Sequence, residues 1–508
     1  MSFETLQKLQ KLVLFCLILF LPLNSIPKRF AIPGIGGDLS NYFFILGMVL
    51  LVYEYFKFGF SVNKKVKYFF CTYIVWQLIC LAHGLWFYEY NELLTLNQIP
   101  RLEAILNKLA SYGVVIPELT AIKCWLWLRF SKNILLLNNI VFLLCFYIWH
   151  LYKNDFTSAF NDVRRAVICL VMLMGAYSFV ELLWLKLNLP FAKLFLETVN
   201  PLLYDIVIVH GWWPPLLWNG QLRSISREPS FFGIISVMCL PFMWSYLFEK
   251  EYKKLSLLCL FYFSLMIAAT NARTAIVLTI GELGLLLLFN IVVQNKEFFK
   301  KTILVVVITI LAFSFNLINF KSLMYATNGS INSATNYLKN NVVSVADTSS
   351  RSNNARFANL IANLNTVVEY PVMGVGTGLK DAYIDRNLPE FAYSNREVRN
   401  WSRYMRTEGV LKMGYPGLNK YADVAVQNGM IGLVLYLSVV GYLMLQILKY
   451  RKAIFTDYRT VMLVIAMLGL LAAQISNSAF VICNGIVWGL LYCKVSAIKN
   501  SPTVEVGE

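Results

Sequence analysis

Residues Gly429–Leu448, GMIGLVLYLSVVGYLMLQIL, form an apolar run without a single charged side chain. A helix needs roughly 20 such residues to cross a bilayer. Just ahead of it, 320–428 is a polar, arginine-bearing stretch in a chain otherwise built almost wholly of apolar runs. Further windows of the same kind lie at about 11–27, 41–58, 68–87, 134–152, 166–187, 231–248, 255–270, 273–293, 302–319, 459–477 and 479–495. The expected fold is an all-α polytopic membrane protein of about twelve transmembrane helices, with a large external loop domain between helices nine and ten. The expected organisation is 1–319 for the first nine spans, 320–428 for the loop domain, and 429–508 for the last three spans and a tail.

Composition agrees. The chain is 58% apolar and 14% charged, where a soluble domain carries about 25% charge. Basic residues gather in short loops after alternate windows: Lys64, Lys65 and Lys67; Lys153, Arg164 and Arg165; Lys250, Lys253 and Lys254; Lys296, Lys300 and Lys301; Lys449, Arg451 and Lys452. Such loops mark the cytoplasm, so both termini are expected there and 320–428 outside. The net charge of +17 follows from this loop pattern and from anionic lipid, which argues against a nucleic-acid partner. The first window follows Lys8 and Lys11, but no small-residue cleavage site follows Pro22 to Pro27, so it reads as a retained helix rather than a signal peptide. All cysteines except Cys124 fall in apolar windows without CxxC pairs, the pattern of packing residues rather than of zinc ligands or disulfides.

No repeat of the length that marks solenoids is visible, and the halves do not mirror each other, which argues against an inverted-repeat transporter. Segment 116–130 is amphipathic, carries Trp125 and Trp127, and is expected to lie in the membrane interface. Trp212, Trp213 and Trp218 form an aromatic cluster suited to the headgroup level or to stacking on sugar rings. Phe357, Leu360, Ile361, Leu364, Val367 and Val368 follow helical spacing, and their face is expected to pack on the membrane domain. The turn PVMGVGTG at 371–378 can aim amides at phosphate. No strand precedes it and no Gly-Lys pair follows, so it is not a nucleotide loop.

Five arginines, Arg223, Arg227, Arg273, Arg351 and Arg356, fall on the expected outer side. Guanidinium groups are planar, permanently charged forks suited to a diphosphate, and Arg273 at a helix start would add its charge to the helix dipole and free amides. Alternatively they snorkel to lipid headgroups or pair with acids. A sugar transfer also needs a base near the acceptor hydroxyl, and the outer candidates are Glu228, His210 and Asp423. Glu181 and Glu282 lie within apolar windows, where an ionisable group is costly and often functional. No cluster of carboxylates, histidines or cysteines marks a metal site on this side, so metal-independent chemistry without a cofactor is expected.

Four outer motifs, RSISREPSFFG from Arg223, TNARTA from Thr270, RFANLIANLNTVVEYPVMGVGTG from Arg356 and NKYADVAVQNGMIGL from Asn419, occur in this order. Together they resemble the O-antigen polymerase and ligase superfamily of bacterial membrane glycosyltransferases. The resemblance covers about 220–435 and implies a GT-C-like architecture, a polyprenyl-pyrophosphate-linked oligosaccharide as substrate, and an inner-membrane site on the external face. It implies membrane lipid, a chain-length regulator and a flippase as candidate partners. Arg356 ahead of Pro371, Arg273 after a short turn, and Glu228-Pro229-Ser230 match family features, although Arg223 stands closer to the last than usual. Asn419 is carried over as a substrate contact. Ligase-type members commonly have His-Asn where this chain has Leu418-Asn419, a departure that favours a repeat-unit polymerase over a ligase. A flippase or secondary transporter is the reading from another class. A cysteine placed within 320–428 should react with a membrane-impermeant thiol reagent on intact cells; reaction only after lysis would overturn the assigned sidedness.

Overall fold

The protein, seen in a computed structural model, is described over residues 1–87, 94–153, 155–205, 220–249, 254–318 and 351–500. Among these its named regular elements are all helices, and Ile32 and Gly36 form an isolated antiparallel bridge. In chain order the first helices are α1 (Phe3–Leu19), α2 (Leu39–Phe58), α3 (Lys64–Trp86), α4 (Pro100–Ser111), α5 (Glu118–Asn133), α6 (Ile140–Tyr152), α7 (Phe156–Leu187), α8 (Pro190–Leu203) and α9 (Pro229–Ser245). There follow α10 (Lys254–Ala269), α11 (Arg273–Val293), α12 (Lys296–Asn316), α13 (Arg351–Glu369), α14 (Lys380–Arg386), α15 (Arg396–Glu408), α16 (Lys420–Lys449), α17 (Arg451–Phe455), α18 (Tyr458–Ala473) and α19 (Val481–Lys499). Among the described residues, eight helical runs are long and apolar enough to cross a membrane: α2, α3, α5 joined to α6, α7, α11, α12, α16 and α19. Helices α9, α10 and α18 are apolar but shorter. Every apolar window of the sequence meets a helix, and the chain is a multi-pass membrane protein. The first window is displaced, because α1 ends at Leu19, ahead of Pro22.

The bundle interior is aromatic and aliphatic, with Trp244, Trp488, Phe160, Phe232 and Phe263 fully buried. Helix α19 lies close against α6: a Cβ on Gly485 would sit 2.7 Å from the Val141 carbonyl oxygen, and one on Gly489 would sit 2.8 Å from Ile148 Cβ. Small residues four apart let two membrane helices approach where no water drives them together.

Segment 116–130 does not lie as a separate interface helix. It forms most of α5, which continues through a π-turn at Ile134–Asn138 into α6 as one run of 35 residues. At 1.5 Å per residue this is about 50 Å, well beyond a hydrocarbon core of about 30 Å. The amphipathic half therefore has protein to pack on, and Ala121, Ile122, Leu126 and Phe130 join a cluster with Leu81 and Leu85 of α3 and with Val375, Leu379 and Tyr383. The irregular turn is satisfied internally: Asn139 Nδ2 donates to the Ile134 carbonyl (2.7 Å), and Gln77 Nε2 donates to Asn139 Oδ1 (3.0 Å).

Helix α13 is where the spacing argument points, but it buries a different face. Ala355, Ala358, Asn359, Ala362, Asn363 and Thr366 are buried, whereas Phe357, Leu364 and Val368 are exposed among the described residues. Small side chains allow α14 and α15 to approach, giving a cluster with Ile384, Leu388, Val398 and Met405. Asparagine and threonine then serve as hydrogen-bonding groups: Asn387 Nδ2 donates to Thr366 Oγ1 (3.1 Å), and Asn359 Nδ2 donates to the Pro416 carbonyl (3.5 Å).

Helix α16 starts at Lys420, ahead of the apolar run, and breaks at Gly429, where φ is +68° and ψ −177°. The turn 371–378 fills the break. Val375 and Gly376 amides donate to the Val426 (2.8 Å) and Gln427 (3.0 Å) carbonyls, Met430 N donates to the Pro371 carbonyl (2.8 Å), and Trp76 Nε1 donates to the Asn428 carbonyl (2.9 Å). A Cβ on Gly429 would sit 1.9 Å from the Val372 carbonyl oxygen, in a conformation L-residues rarely adopt. Gly429→Ala should therefore cost at least about 2 kcal/mol and lower the melting temperature in detergent. Gly284→Ala, in α11 with nothing within 4 Å of its Cβ position, should leave it unchanged or slightly raised; equal behaviour of the two variants would refute the role given to the break.

Candidate active site

At one end of the bundle lie the starts of α2, α9, α11, α16 and α19 and the ends of α3, α7, α10, α12 and α18, and the sequence-distant motifs meet there. Residues 220–222 are bound to the turn before α11: Leu222 N donates to the Ala269 carbonyl (3.0 Å), Asn271 Nδ2 to the Gly220 carbonyl (2.9 Å), and Gln221 Nε2 to the Asn271 carbonyl (3.1 Å). The turn between α18 and α19 binds the remainder. The Ser476 carbonyl accepts from Arg356 Nη1 (2.9 Å), the Gln474 carbonyl from Lys420 N (2.9 Å), Ser478 donates through N (3.0 Å) and Oγ (2.8 Å) to the Gly417 carbonyl, and Phe480 meets Phe231 edge-on at 5.3 Å. This turn carries no charge and forms no motif, so nothing in its sequence marks it as a hub.

Arg273 is the first residue of α11, with Ala272 at the cap position. Arg356, half-buried on α13, is close enough to Arg273 for the two charges to repel. Burial and then Arg273 lower the pKa of Arg356, while Glu228 and Glu397 oppose that shift. Glu228 occupies the cap position of α9 without bonding the helix amides, and it accepts a 3.4 Å hydrogen bond from Ser230 Oγ. Burial raises the proton affinity of Glu228, with Arg227, the Ser230 bond and Arg356 opposing. A second carboxylate, absent from the sequence reading, faces Arg227. Asp38 stands at the cap position of α2, makes no capping bond, and is pushed up to about 6 by burial against the opposing charge of Arg227. Its place before an apolar run is that of an ordinary helix cap, which hides it in the sequence.

The other expected site residues are placed differently. Arg223 does not line the mouth: it is 1% exposed, 3.8 Å from Glu181 Oε1, with its guanidinium 4.2 Å from the centre of the Tyr204 ring. Asp423 is also interior and is paired with Lys380 of α14, which makes it a link between α14 and α16 rather than an accessible base. Asn419 caps α16, its side-chain oxygen accepting from Tyr421 N and Ala422 N at 3.0 Å each. His210, the side chain of Arg351 and the tryptophan cluster at 212–218 lie outside the described residues. In the glycine turn, the Val375 and Gly376 amides, with that of Gly378 donating to Gln427 Oε1 (3.3 Å), are bound to α16 and are not turned toward phosphate. Glu282 is buried in α11, its Oε1 2.6 Å from where a Cβ on Gly469 of α18 would stand.

A search of the curated proteins finds no match to this chain. Residues 258–437 match the family model described as O-antigen ligase. The matched stretch runs from α10 past the break in α16 and holds Arg273, Arg356, Asn419 and Asp423, while Asp38, Arg223, Arg227 and Glu228 precede it. The match at 258–437 agrees with the resemblance that the outer motifs carry to the O-antigen polymerase and ligase superfamily.

Proposed function

We propose that the protein is a repeat-unit polymerase of the bacterial plasma membrane, with twelve spans, cytoplasmic termini and residues 320–428 outside. The observation that carries this reading is that Arg356, bound to the Ser476 carbonyl, sits within the field of Arg273 at the start of α11, beside Glu228. Like charges at a helix N-terminus oppose both each other and the helix dipole, and a bound anion relieves both. A diphosphate carries the charge to answer two guanidinium groups, and outside the cell activated sugar is available on a lipid carrier rather than on a nucleotide.

In the proposed reaction, the terminal hydroxyl oxygen of one lipid-linked repeat unit attacks the anomeric carbon of the donor glycan. The bond from that carbon to the diphosphate breaks, and its electron pair leaves with the polyprenyl diphosphate, held by Arg273, Arg356 and Arg227. The hydroxyl proton passes to Glu228, beside Arg227 and Arg356, with Asp38 as a second carboxylate facing Arg227. Leu418 stands where a ligase commonly has histidine, which supports polymerisation over transfer to a surface lipid. A vesicle assay with lipid-linked repeat units should give a ladder of lengthened glycans. A single long-glycan transfer to another lipid would favour the ligase, and movement of substrate without lengthening would favour a flippase or transporter.

Arg273→Lys and Arg356→Lys should each reduce polymer by about 10²-fold, nearly as far as alanine, because lysine keeps the charge and loses the planar two-point contact. Normal polymer in both at normal protein level would show these arginines to be topological. Glu228→Gln should abolish polymer formation while lipid-linked donor still binds. Activity requires the basic form of the acceptor, so a fall as pH drops through about 6 that disappears in Asp38→Asn, with Glu228→Gln fully active, would transfer the role to Asp38.

A further inference from the structure

A polar assembly is buried around Glu181 and Ser224, the latter three residues before Arg227. Glu181, in the last turns of α7, is 1% exposed. Its Oε2 accepts from Ser224 N at 2.7 Å, and its Oε1 lies 3.8 Å from Arg223 Nε. Arg223 stacks on Tyr204, whose hydroxyl donates to the Ser224 carbonyl (3.1 Å). Ser224 has a positive φ of 56°, and its own hydroxyl donates to the Met174 carbonyl of α7 (2.9 Å). Tyr177 of α7 hydrogen-bonds Asn200 of α8, so the two helices that grip the turn are bound to each other. The turn Leu222–Glu228 thus hangs on α7 and α8 from both faces of one serine.

Such an arrangement is a poor way to gain stability. A buried ion pair is often matched or bettered by apolar side chains of similar volume, and a left-handed serine is strained. Both features, at Arg223 and Ser224, sit four and three residues before Arg227, which with Glu228 faces Arg356 and Asp38. We propose that Glu181 is a positioning residue: through Ser224 and Arg223 it sets the turn that presents Arg227 and Glu228 to the donor diphosphate. This rests on the polymerase reading for its chemistry and on the hydrogen bonds for its geometry.

The test replaces the pair by apolar side chains, Glu181→Leu with Arg223→Met, and measures turnover on a synthetic polyprenyl-diphosphate-linked repeat unit together with thermal stability. The double variant is expected to keep its melting temperature and its KM for donor and to lose at least 10-fold in kcat, since positioned groups act in the transition state. Full kcat in the folded variant overturns the proposal and makes the pair packing. Should the double variant be lost from the membrane, Glu181→Gln, which changes charge but hardly size, is read in the same way: full kcat overturns, a lowered kcat at unchanged KM supports. If the wild-type protein lengthens no glycan, the polymerase reading falls, and hydrogen exchange still decides the clamp. Faster exchange confined to 222–228 in these variants supports it, and unchanged exchange there overturns it.

Discussion

A membrane helix cannot leave backbone groups unpaired, because no water reaches them. The break at Gly429 in α16 meets that constraint by taking in the turn 371–378, and the placement of the polar segment follows from it. Carbonyls released at Val426, Gln427 and Asn428 are taken by Val375, Gly376 and the Trp76 indole, and the Met430 amide finds Pro371. The turn is therefore anchored in the bundle, and α13, which ends just before it, is held against α16. Arg356 sits on α13, and its bond to the Ser476 carbonyl extends that anchoring to the last two helices. A glycine-rich sequence that suggests a phosphate loop is instead a splice between two parts of one fold.

Charge is handled in two ways. In the interior, ionisable groups are set beside partners: Glu54 hydrogen-bonds His150, Glu181 lies beside Arg223, and Lys380 beside Asp423. At the motif-bearing end, like charges are brought together, Arg356 near Arg273, with Glu228 partly balancing them. The first arrangement satisfies the protein alone, and the second is the one proposed to receive the anion. Arg223 is the instructive case, since in the chain it belongs with Arg227 and in the fold it belongs with Glu181.

Membership of an all-helical, multi-pass class is written in composition and in the length of apolar runs, because lipid demands both directly of each segment. The helix starts at Arg273 and beside Glu228-Pro229-Ser230 are likewise local and were legible. Which face of α13 is buried was not, because hydrophobicity ranks Phe357 and Leu364 above Ala358 and Ala362, while close approach of neighbouring helices selects the small residues. Nor could the chain alone separate Arg223 and Asp423, which are buried in ion pairs, from Arg227 and Glu228, or reveal Asp38 as their neighbour. Pairing depends on which distant segments meet, and that is decided by the packing of α7, α14 and the turn after α18. Residue type and local period are thus properties the sequence determines by itself; the partner of each charge is a property of the tertiary structure, because electrostatic energy depends on distances that cross the whole chain.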